Sequence, residues 1–579
     1  AVLLFWPASP VDTSRLPDGG FGDPAQTVWY LAWVPYALGH GLPLFHSNLV
    51  NTPNGVDLAN NASVPLLGLI GAPITVTLGP VASFNLLLRL AFAASAGSMF
   101  LVLRQWCTRW PIAFVGGLIY GFSPYMVSQG QGGAHLHQTF TPLVPLIVWC
   151  AYELLVVQHR RPARMGLLLG AAAGAQALIA PEVLSDLVIV LLLTGAIAMV
   201  VVRKERWRSW AGHALRGAAV GVTVFIVIAG DLLWWMLLAN GHVHGPVQPT
   251  AALQPLSGDL LSPVVPTSQQ LIAPSGLASL AAKFAAGSAS EGSGYLGLPF
   301  VGLVIGVGIA WRREAIIRWA GGAALVAFVL SLGSRLSVTG HTTAIPLPEA
   351  VFAHLPVLDS TVPARFALMV VLFACIIVAV GVERTWGWVA SHGSRWRRRV
   401  GAGVLVTGAV SLLAMAPVVP FATAAPDWPP SVQTALRTIP PGATVLTYPY
   451  PIRWWSETML WQAVGGMRFR ILGGYVTVQG QGTGENVPKL TAPASVQEFL
   501  VQNQGGVGVP YPIIPPDAAT SADLCAYLNL NLVGAVVYWG AGPGAPEVLT
   551  YFTHALGAPS SDTNGVLIWR IPGAGWCAQ

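Results

Sequence analysis

Of the 579 residues, 54% are hydrophobic and only 9% are charged, and the formal net charge is +6. Because a soluble domain carries about 25% charged residues, this composition excludes an ordinary water-soluble fold and indicates a polytopic membrane protein. The lysines and arginines lie in short clusters between apolar stretches, without a motif that reads RNA or DNA, so we expect no nucleic-acid partner.

The chain begins with a short apolar stretch, AVLLFW, at residues 1–6. This stretch cannot cross a hydrocarbon layer about 30 Å thick, which takes about 20 residues. Because a cleaved signal peptide would not leave it behind, we interpret it as the outer end of a first transmembrane helix that starts before this numbering.

Ten further stretches are apolar over a length that can cross the membrane. They are predicted at residues 84–104, 110–128, 137–157, 165–181, 182–202, 213–239, 293–311, 315–333, 363–382 and 399–420. Together with the first helix they predict 11 transmembrane helices, with the N-terminus inside and the C-terminus outside.

The loops between these stretches alternate in charge. One set of loops holds most of the basic residues, including clusters at 160–164, 203–208 and 395–399, whereas the other set holds almost none. The positive-inside rule places the basic loops in the cytoplasm of a cell-membrane protein.

The apolar stretch at residues 63–79 would reverse this alternation if it crossed the membrane. It contains Pro65, Pro73 and several glycines, which are untypical of a regular span. We therefore predict an external helix that lies at the membrane face or is re-entrant. The first external loop, residues 7–83, then holds two interfacial helices, near 24–38 and 62–79.

From about residue 421 the sequence becomes rich in proline and turns, and no spanning stretch follows. Strand-like runs (ATVLTYPY, RILGGY, LVGAVVYW and VLIWRI) alternate with helical patterns such as SVQEFLVQN and SADLCAYLNL. This pattern predicts an extracytoplasmic α/β domain at 421–579, after a transmembrane domain at 1–420. Cys525 and Cys577 both lie in this domain, where an oxidising compartment permits a disulfide.

Asp23 is the first candidate for chemistry. It follows Gly22 and precedes Pro24, which is the arrangement of a helix N-cap before an aromatic, amphipathic helix. Capping alone would explain this residue. Its carboxylate would also lie at the boundary of water and lipid, beside a lipid head group, whereas Asp12 in the same loop is interpreted as solvated.

Further polar residues are predicted at the same outer level. Glu182 stands at the turn between two spans, with Asp186 one helical turn deeper, and ionisable groups at membrane depth are functional candidates. The alternative is that Arg89 neutralises this carboxylate pair. His135 and His137 lie at the outer start of another span, but with Glu182 they have no recognised zinc-ligand spacing.

Arg365 stands at the outer mouth of the span that begins near Pro363. A guanidinium there is suited to a phosphate, because it offers a fixed charge and bidentate donors. Anchoring at the interface by snorkelling is the alternative. Arg335 lies in an external loop that could approach it.

The sequence has no Walker loop, no dinucleotide fingerprint before a strand and no Gly-x-Ser-x-Gly elbow. Outside the cytoplasm there is no supply of ATP or nucleotide sugars. Chemistry on the outer face therefore needs an activated donor delivered within the membrane, which points to a polyprenyl-phosphate-linked compound.

Several pieces of the chain together resemble a family. They are GDPAQTVWYLAW, FNLLLRLAFAASAGSMFLVLRQW, FSPYMVSQGQGGAHLHQTFTPLVPL, GSGYLGLPFVGLVIG, HLPVLDSTVPARFALMVVL and MLWQAVGGMRFRILGGY, spread from about 16 to 475. In this order they resemble the GT-C class of integral-membrane glycosyltransferases, which use lipid-phosphate-linked sugars. The actinobacterial cell-wall arabinofuranosyl- and mannosyltransferases are similar in outline.

The resemblance implies roles for individual residues. Asp23 matches the catalytic base in the first external loop. Glu182 has no secure counterpart in the family and is assigned only as a second acid, for the acceptor or a metal. The remaining roles are donor-phosphate binding by Arg365, Arg335 and His135, and binding of a glycan or glycolipid acceptor by Trp454, Trp455 and Tyr475. The usual double-Asp or Glu-x-Asp pattern is absent, since Asp18 is five residues from Asp23, which leaves the use of a divalent metal ion open.

Two other functions stay open at this point. A flippase or transporter of lipid-linked sugars would need a polar path through the membrane, whereas the acids here cluster at one face. A non-catalytic scaffold that binds envelope polymers would tolerate loss of Asp23.

The topology makes a direct prediction. A cysteine introduced at position 430 should react with a membrane-impermeant reagent in intact cells, because residues 421–579 are expected outside. Labelling of this position only after the membrane is ruptured would contradict the topology and the extracytoplasmic chemistry.

Overall fold

The computed structural model describes residues 1–17, 22–201, 207–248, 250–292, 294–352, 358–391, 394–426, 431–480, 483–485, 494–505, 513–516 and 520–573. The chain forms two compact units. Unit 1 comprises Ala1–Ser9, Leu87–Asp231 and Gln248–Ala422, and unit 2 comprises Pro10–Leu86, Leu232–Val247 and Thr423–Gln579.

Within the described residues the helices are α1 Asp23–His40, α2 Pro65–Leu78, α3 Pro80–Leu103, α4 Trp110–Gly121, α5 Pro124–Val127, α6 Leu136–Thr139, α7 Leu143–Tyr152, α8 Pro162–Ala177, α9 Pro181–Val201, α10 Trp207–Leu237, α11 Thr250–Leu253, α12 Ser275–Ala281, α13 Leu298–Ala310, α14 Ala315–Ser331, α15 Glu349–Phe352, α16 Ala367–Ser391, α17 Arg395–Met415, α18 Ser431–Leu436, α19 Glu457–Val464, α20 Ala494–Gln504, α21 Ser521–Leu530 and α22 Ala545–Leu556. Proline stands in the first turn of α1, α4, α8 and α13, where its missing N–H has no intrahelical partner to lose.

Six segments of the described chain are long and apolar enough to cross a membrane. They are Pro80–Leu103, Trp110–Gly132, Pro181–Ala198, Ala211–Leu237, Pro363–Ser391 and Arg395–Met415. Each coincides with a predicted span, and α7, α8, α13 and α14 lie at the other four predicted positions. The chain is therefore mostly helical, and the total of 11 spans stays a prediction.

Helix α16 is the most deeply buried of the six segments and packs against α4, α13 and α14. A short 3-10 turn, Pro363–Phe366, leads into it and carries Arg365. This placement fixes the backbone of Arg365 at the end of the central helix of unit 1.

Helices α8 and α10 approach each other through glycines. A Cβ atom at Gly166 would clash with the carbonyl oxygen of Gly217, and one at Gly170 would clash with that of Gly221. Small residues let two apolar helices bring their backbones together where the hydrophobic effect cannot drive association. The contact between α8 and α10 therefore depends on glycine, which has no Cβ atom, at these positions.

Unit 2 contains a mixed five-stranded sheet in the order β12-β13-β11-β7-β8. In the described residues the strands are β1 Leu16–Pro17, β2 His46–Ser47, β3 Val56–Asp57, β4 Arg335–Val338, β5 His341–Pro346, β6 Thr423–Ala424, β7 Thr444–Tyr448, β8 Arg470–Ile471, β9 Val478–Gln479, β10 Gly484–Glu485, β11 Val533–Trp539, β12 Ser561–Thr563 and β13 Val566–Arg570. Strand β7 runs parallel to β11 and β8, whereas β13 is antiparallel to β11 and β12. Strands occur at all four predicted runs.

The core of this part of unit 2 lies between the sheet and α20, α21 and α22. Buried residues of the central strands, such as Leu446 and Val536, pack with Phe499, Leu524 and Phe552 of the helices. Cys525 on α21 is disulfide-bonded; its predicted partner, Cys577, lies outside the described residues. The side of the membrane that the sheet faces, and the boundary between domains at residue 420, stay predictions.

The two helices predicted in the first external loop are present as α1 and α2, which pack against each other. Trp29 and Trp33 of α1 stack with ring centres 5.6 Å apart, and the Trp29 Nε1 donates to Gln462 Oε1 on α19. Helix α1 is therefore held by aromatic packing on both α2 and the C-terminal part of unit 2.

The glycine contact between α8 and α10 predicts opposite effects for two similar substitutions. Gly170→Ala should destabilise the protein by about 1–3 kcal/mol, because overpacking at a close backbone contact forces the helices apart. Gly195→Ala on α9 meets open space, so it should be neutral or slightly stabilising, as alanine favours helix over glycine. Thermal unfolding in detergent measures both, and equal midpoints would contradict the packing role.

Candidate functional site

The side chain of Arg365 is bound by two carboxylates in unit 1. Its Nη1 donates to both oxygens of Glu182, each at 2.6 Å. Its Nε and Nη2 donate to Oε1 of Glu291, at 3.1 and 2.8 Å. Two carboxylates from distant parts of the chain therefore share one guanidinium.

Two glutamines complete what we call the Arg365 cluster, defined as Arg365, Glu182, Glu291, Gln129 and Gln138. Gln138 Nε2 donates to Oε2 of Glu182 at 2.9 Å, and Gln129 Nε2 donates to Oε2 of Glu291 at 3.3 Å. Each carboxylate thus accepts from the arginine and from one amide. Buried charges persist only when they are paired and hydrogen-bonded in this way.

Glu291 is the member that sequence reasoning missed. Its side chain is 3% exposed. Burial alone would raise the pKa of Glu291, but the charge of Arg365 and the hydrogen bonds from Arg365 and Gln129 outweigh it and hold the pKa below its ordinary value. A signal existed, since Glu291 is the only acidic residue between Asp259 and Glu314 and lies just before a span.

His135 joins the cluster through Gln129. The side-chain amide of Gln129 donates to the Ser290 carbonyl as well as to Glu291, so its Oε1 faces His135 Nδ1, 2.6 Å away. Nδ1 of His135 is therefore the protonated nitrogen in the neutral ring. Gln129 lies in a π-helical segment, Ser128–Gly132, a geometry that is frequent at functional sites.

Asp186 lies one turn deeper than Glu182 on α9 and is 2% exposed. It is within electrostatic range of Glu182, Glu291 and Arg365. The alternative in which Arg89 neutralises this acid pair is wrong for Glu182, whose partner is Arg365. Arg89 instead donates to the Ala8 carbonyl and lies over the Phe5 ring.

The other residues of unit 1 that the sequence predicted as candidates do not all contact the Arg365 cluster. Arg335 is exposed in the β4–β5 hairpin and, within the described part of the chain, makes no hydrogen bond or ion pair with the Arg365 cluster. The described residues contain no group of three or more His, Cys, Asp or Glu placed to hold a metal ion. His135 and His137 are thus neighbours, with ring centres 5.7 Å apart, that do not form a zinc site with Glu182.

In unit 2, Asp23 lies beside Tyr475. The Tyr475 hydroxyl donates to Asp23 Oδ1 at 3.4 Å, and the Gln26 side chain donates to the Tyr475 carbonyl. Asp23 is partly exposed. Two residues chosen independently from the sequence, one as base and one as acceptor contact, therefore touch.

The expectation that Asp23 is an N-cap is wrong. Helix α1 begins at Asp23 itself, and the capping position falls on Gly22, which has a positive φ of 62°. The carbonyl of Gly22 accepts from the Gln26 amide and from the Ser456 hydroxyl. One backbone donor and one side-chain donor thus hold the Gly22 carbonyl, and Asp23 lies within the first turn of α1 rather than at the capping position.

Two further groups define the surroundings of Asp23. Burial, together with Tyr475 and Asp23, raises the pKa of Tyr30 well above its ordinary value, so this phenol stays protonated. Trp455 donates its Nε1 to the Gly505 carbonyl at 2.7 Å, whereas Trp454 is 46% exposed under the Arg453 guanidinium. Of the predicted acceptor aromatics, Trp454 thus offers an open ring and Tyr475 contacts Asp23.

Asp57 in β3 is a buried carboxylate in the first external loop. Its Oδ1 accepts from the Ala59 amide at 2.7 Å, and Oδ2 has no hydrogen-bond partner within the described residues. Burial raises the pKa of Asp57 to about 6, against the opposing effects of the Ala59 and Asn60 amides and of His242.

The chain is similar to one protein family in sequence and to several solved structures in fold. Residues 2–416 match the model of a family described as "Domain of unknown function (DUF6311)". No curated protein matches the chain in sequence. Among solved structures, the arabinofuranosyltransferase AftD from Mycobacteria aligns with a TM-score of 0.52 and 12% identity, over 93% of this chain and 37% of the AftD chain.

Two further structures align over most of the chain with lower scores. ArnT from Cupriavidus metallidurans in the apo state has a TM-score of 0.45 and 12% identity, over 96% of this chain and 94% of its own. The oligosaccharyltransferase AglB from Archaeoglobus fulgidus has a TM-score of 0.42 and 12% identity, over 92% of this chain and 67% of the AglB chain. The likeness to AftD shows that the chain has the GT-C fold, as its sequence pieces predicted. The six long apolar segments of the described residues agree with a multi-pass membrane protein.

The buried Asp57 predicts a pH-dependent effect on stability. Because its folded-state pKa of about 6 is above the ordinary 3.8, ionised Asp57 destabilises the fold, and this penalty grows as the pH rises through that window. Asp57→Asn keeps an oxygen acceptor without the charge. It should raise the unfolding temperature at about pH 8, and the gain should vanish near pH 4.

Asp562→Asn serves as the control, because Asp562 is exposed and accepts from the Gly565 amide in a turn. Thermal unfolding as a function of pH measures both variants. An equal shift for the two variants at every pH would contradict the buried-carboxylate explanation.

Proposed function

We propose that this chain, which belongs to the family described as Domain of unknown function (DUF6311), transfers a sugar from a polyprenyl-phosphate-linked donor to an acceptor on the outer face of the cell membrane. The acceptor is a glycan, lipid or protein of the cell envelope. Support comes from the GT-C fold shared with AftD, an arabinofuranosyltransferase. The chain spans 37% of the length of AftD, so the activity of that whole protein is carried over only as part of this proposal.

The observation that carries the proposal is the placement of Asp23. Its carboxylate is partly exposed at the first residue of α1 and lies next to the Tyr475 hydroxyl. A general base must be ionised, reachable by the acceptor and oriented by a neighbour. Because Tyr30 stays protonated, Asp23 is the proton acceptor of this group.

The reaction is a single displacement. Asp23 takes the proton of an acceptor hydroxyl, the hydroxyl oxygen forms a bond to the anomeric carbon, and the bond from that carbon to the phosphate oxygen breaks. The phosphate leaves with the electron pair, so the configuration at the anomeric carbon inverts. A positioned base contributes roughly 10²–10⁴-fold to such a step.

Arg365 is the proposed partner of the donor phosphate. A guanidinium that is mostly withdrawn from water stabilises charge on a leaving phosphate more strongly than an exposed one. Its side chain is 14% exposed. His135 shares the cluster through Gln129 and is proposed to assist, and Arg335 is proposed to approach the lipid phosphate from the exposed hairpin.

The acceptor sugar is proposed to contact Trp454, Trp455 and Tyr475. The exposed face of Trp454 suits stacking on a pyranose or furanose ring, and Tyr475 would place the acceptor hydroxyl at Asp23. Glu182 is proposed as the second acid. An arabinofuranosyl or mannosyl group is the proposed sugar, and any divalent metal ion would have to compete with Arg365 for Glu182.

The substitution Asp23→Asn tests the base directly. It removes the proton acceptor while preserving shape, and the α1 start does not use the carboxylate as a cap. We expect expression and thermal stability near those of the wild type, and sugar transfer from a polyprenyl-phosphate donor lowered at least about a hundredfold.

Asp12→Asn is the matched control. Asp12 lies in the same loop, and its Oδ1 accepts from Ser14 and Arg15 amides, which an asparagine oxygen can also do. It should retain wild-type transfer. Sugar transfer by the Asp23→Asn variant near the wild-type rate would remove Asp23 from the mechanism. A wild-type protein that moves lipid-linked sugar across the membrane of vesicles, without transferring the sugar to an acceptor, would favour the flippase.

A further inference from the structure

The two carboxylates on Arg365 are not equivalent. The side chain of Glu291 is 3% exposed and that of Glu182 is 27% exposed, with Arg365 at 14% between them. Glu291 holds the Nε edge of the guanidinium, whereas Glu182 binds the Nη1 corner. Glu182 therefore lies on the more exposed side of the guanidinium and Glu291 on the buried side.

Glu182 also loses less stabilisation of its charge than Glu291 does when the bond to Arg365 breaks. It lies in the first turn of α9, where the partial positive charge of the helix N-terminus stabilises a carboxylate. It keeps the hydrogen bond from Gln138. Glu291 is almost fully buried and would be left as a buried charge with the amide of Gln129 as its remaining side-chain donor, which is costly.

We propose that the phosphate of the lipid donor takes the place of Glu182 on Nη1 of Arg365, while Glu291 keeps its hold on the other edge. The inference rests on the proposed function. Glu291 is then a positioning residue, and Glu182 occupies the phosphate position in the absence of donor. Donor binding therefore frees a carboxylate at the outer end of α9.

The direction in which Glu182 moves follows from its neighbours. Asp186 lies one turn deeper on the same helix and is 2% exposed, so an inward movement would bury the freed charge of Glu182, which is costly. The freed carboxylate turns toward the exposed side. It becomes available as the second acid only after the donor phosphate has arrived.

Binding of undecaprenyl phosphate to the purified full-length protein in lipid nanodiscs tests the exchange. Glu182→Gln should bind this probe at least about tenfold more tightly than the wild type, because a competing charge-assisted contact is removed. Glu291→Gln removes the same charge from the same arginine but not from the exchange position. It should bind no more tightly than the wild type.

Further binding measurements show whether the effect of Glu182→Gln depends on Arg365 and on the phosphate of the lipid. In an Arg365→Gln background, Glu182→Gln should no longer tighten binding, which also decides the matter if Glu291→Gln does not fold. Undecaprenol, which lacks the phosphate, should bind all variants alike. Inorganic phosphate should compete far more weakly than the lipid phosphate, which separates the two sources of the same ligand chemistry.

Equal tightening by Glu182→Gln and Glu291→Gln would show a general charge effect and overturn the exchange, and so would an unchanged affinity of Glu182→Gln. Neither result would touch the role of Asp23. Failure of the wild type and all variants to bind the probe would instead contradict the donor assignment in the proposed function, and the exchange with it.

Discussion

A guanidinium in a largely apolar helical unit has to be neutralised where it stands, and this constraint organises unit 1. Moving a charge out of water costs several kcal/mol even after relaxation. Arg365 sits at the end of the most buried spanning segment, so carboxylates must come to it. Glu182 of α9 and Glu291 of the segment before α13 do so. Gln129 donates to the oxygen of Glu291 that Arg365 does not bind, and Gln138 adds a second donor to Oε2 of Glu182. One ion cluster thereby ties together segments that are more than 200 residues apart, from Gln129 to Arg365.

The contact between α8 and α10 in unit 1 relies on shape rather than charge. Gly166 and Gly170 of α8 leave room for the carbonyls of Gly217 and Gly221. Dispersion contacts between closely packed backbones are what remain when the surroundings are as apolar as the side chains. The contact between these glycines therefore needs no polar side chain.

How much of this could be predicted depends on whether the signal is local. Hydropathy and proline positions are local, so the sequence predicted the long apolar helices of unit 1 and the β7, β11 and β13 strands. The short helices α11, α12 and α15 were not predicted. Arg365 and Glu182 were recognised because a charge beside a span is unusual. Their pairing was not recognised, since Arg89 was an equally plausible partner by sequence, and only packing puts it beside Phe5 instead.

The sequence prediction missed Glu291 and misplaced the start of α1, and in both cases tertiary contacts are the reason. Glu291 lies in a Ser- and Gly-rich segment that looks like an ordinary loop, and its burial is created by neighbours far along the chain. The start of α1 was expected at Pro24 with Asp23 as the cap, but the helix begins one residue earlier, and Gly22 with a positive φ stands at the capping position. Tertiary contacts, including the bond from Ser456 to the Gly22 carbonyl, decide that detail.

Asp23 and Arg365 differ in exposure, in the sense that the separate roles proposed for them require. A base that receives a proton from an incoming hydroxyl must be reachable, and Asp23 is partly exposed with a phenol at its side. A group that stabilises developing charge on phosphate gains from low dielectric, because the same charge pair interacts more strongly when water is excluded. Arg365 meets that demand, yet a bare buried guanidinium would be unstable before the donor arrives. A carboxylate can neutralise the guanidinium until the donor binds, if that carboxylate lies on the more exposed side and can leave. Glu182 lies on that side.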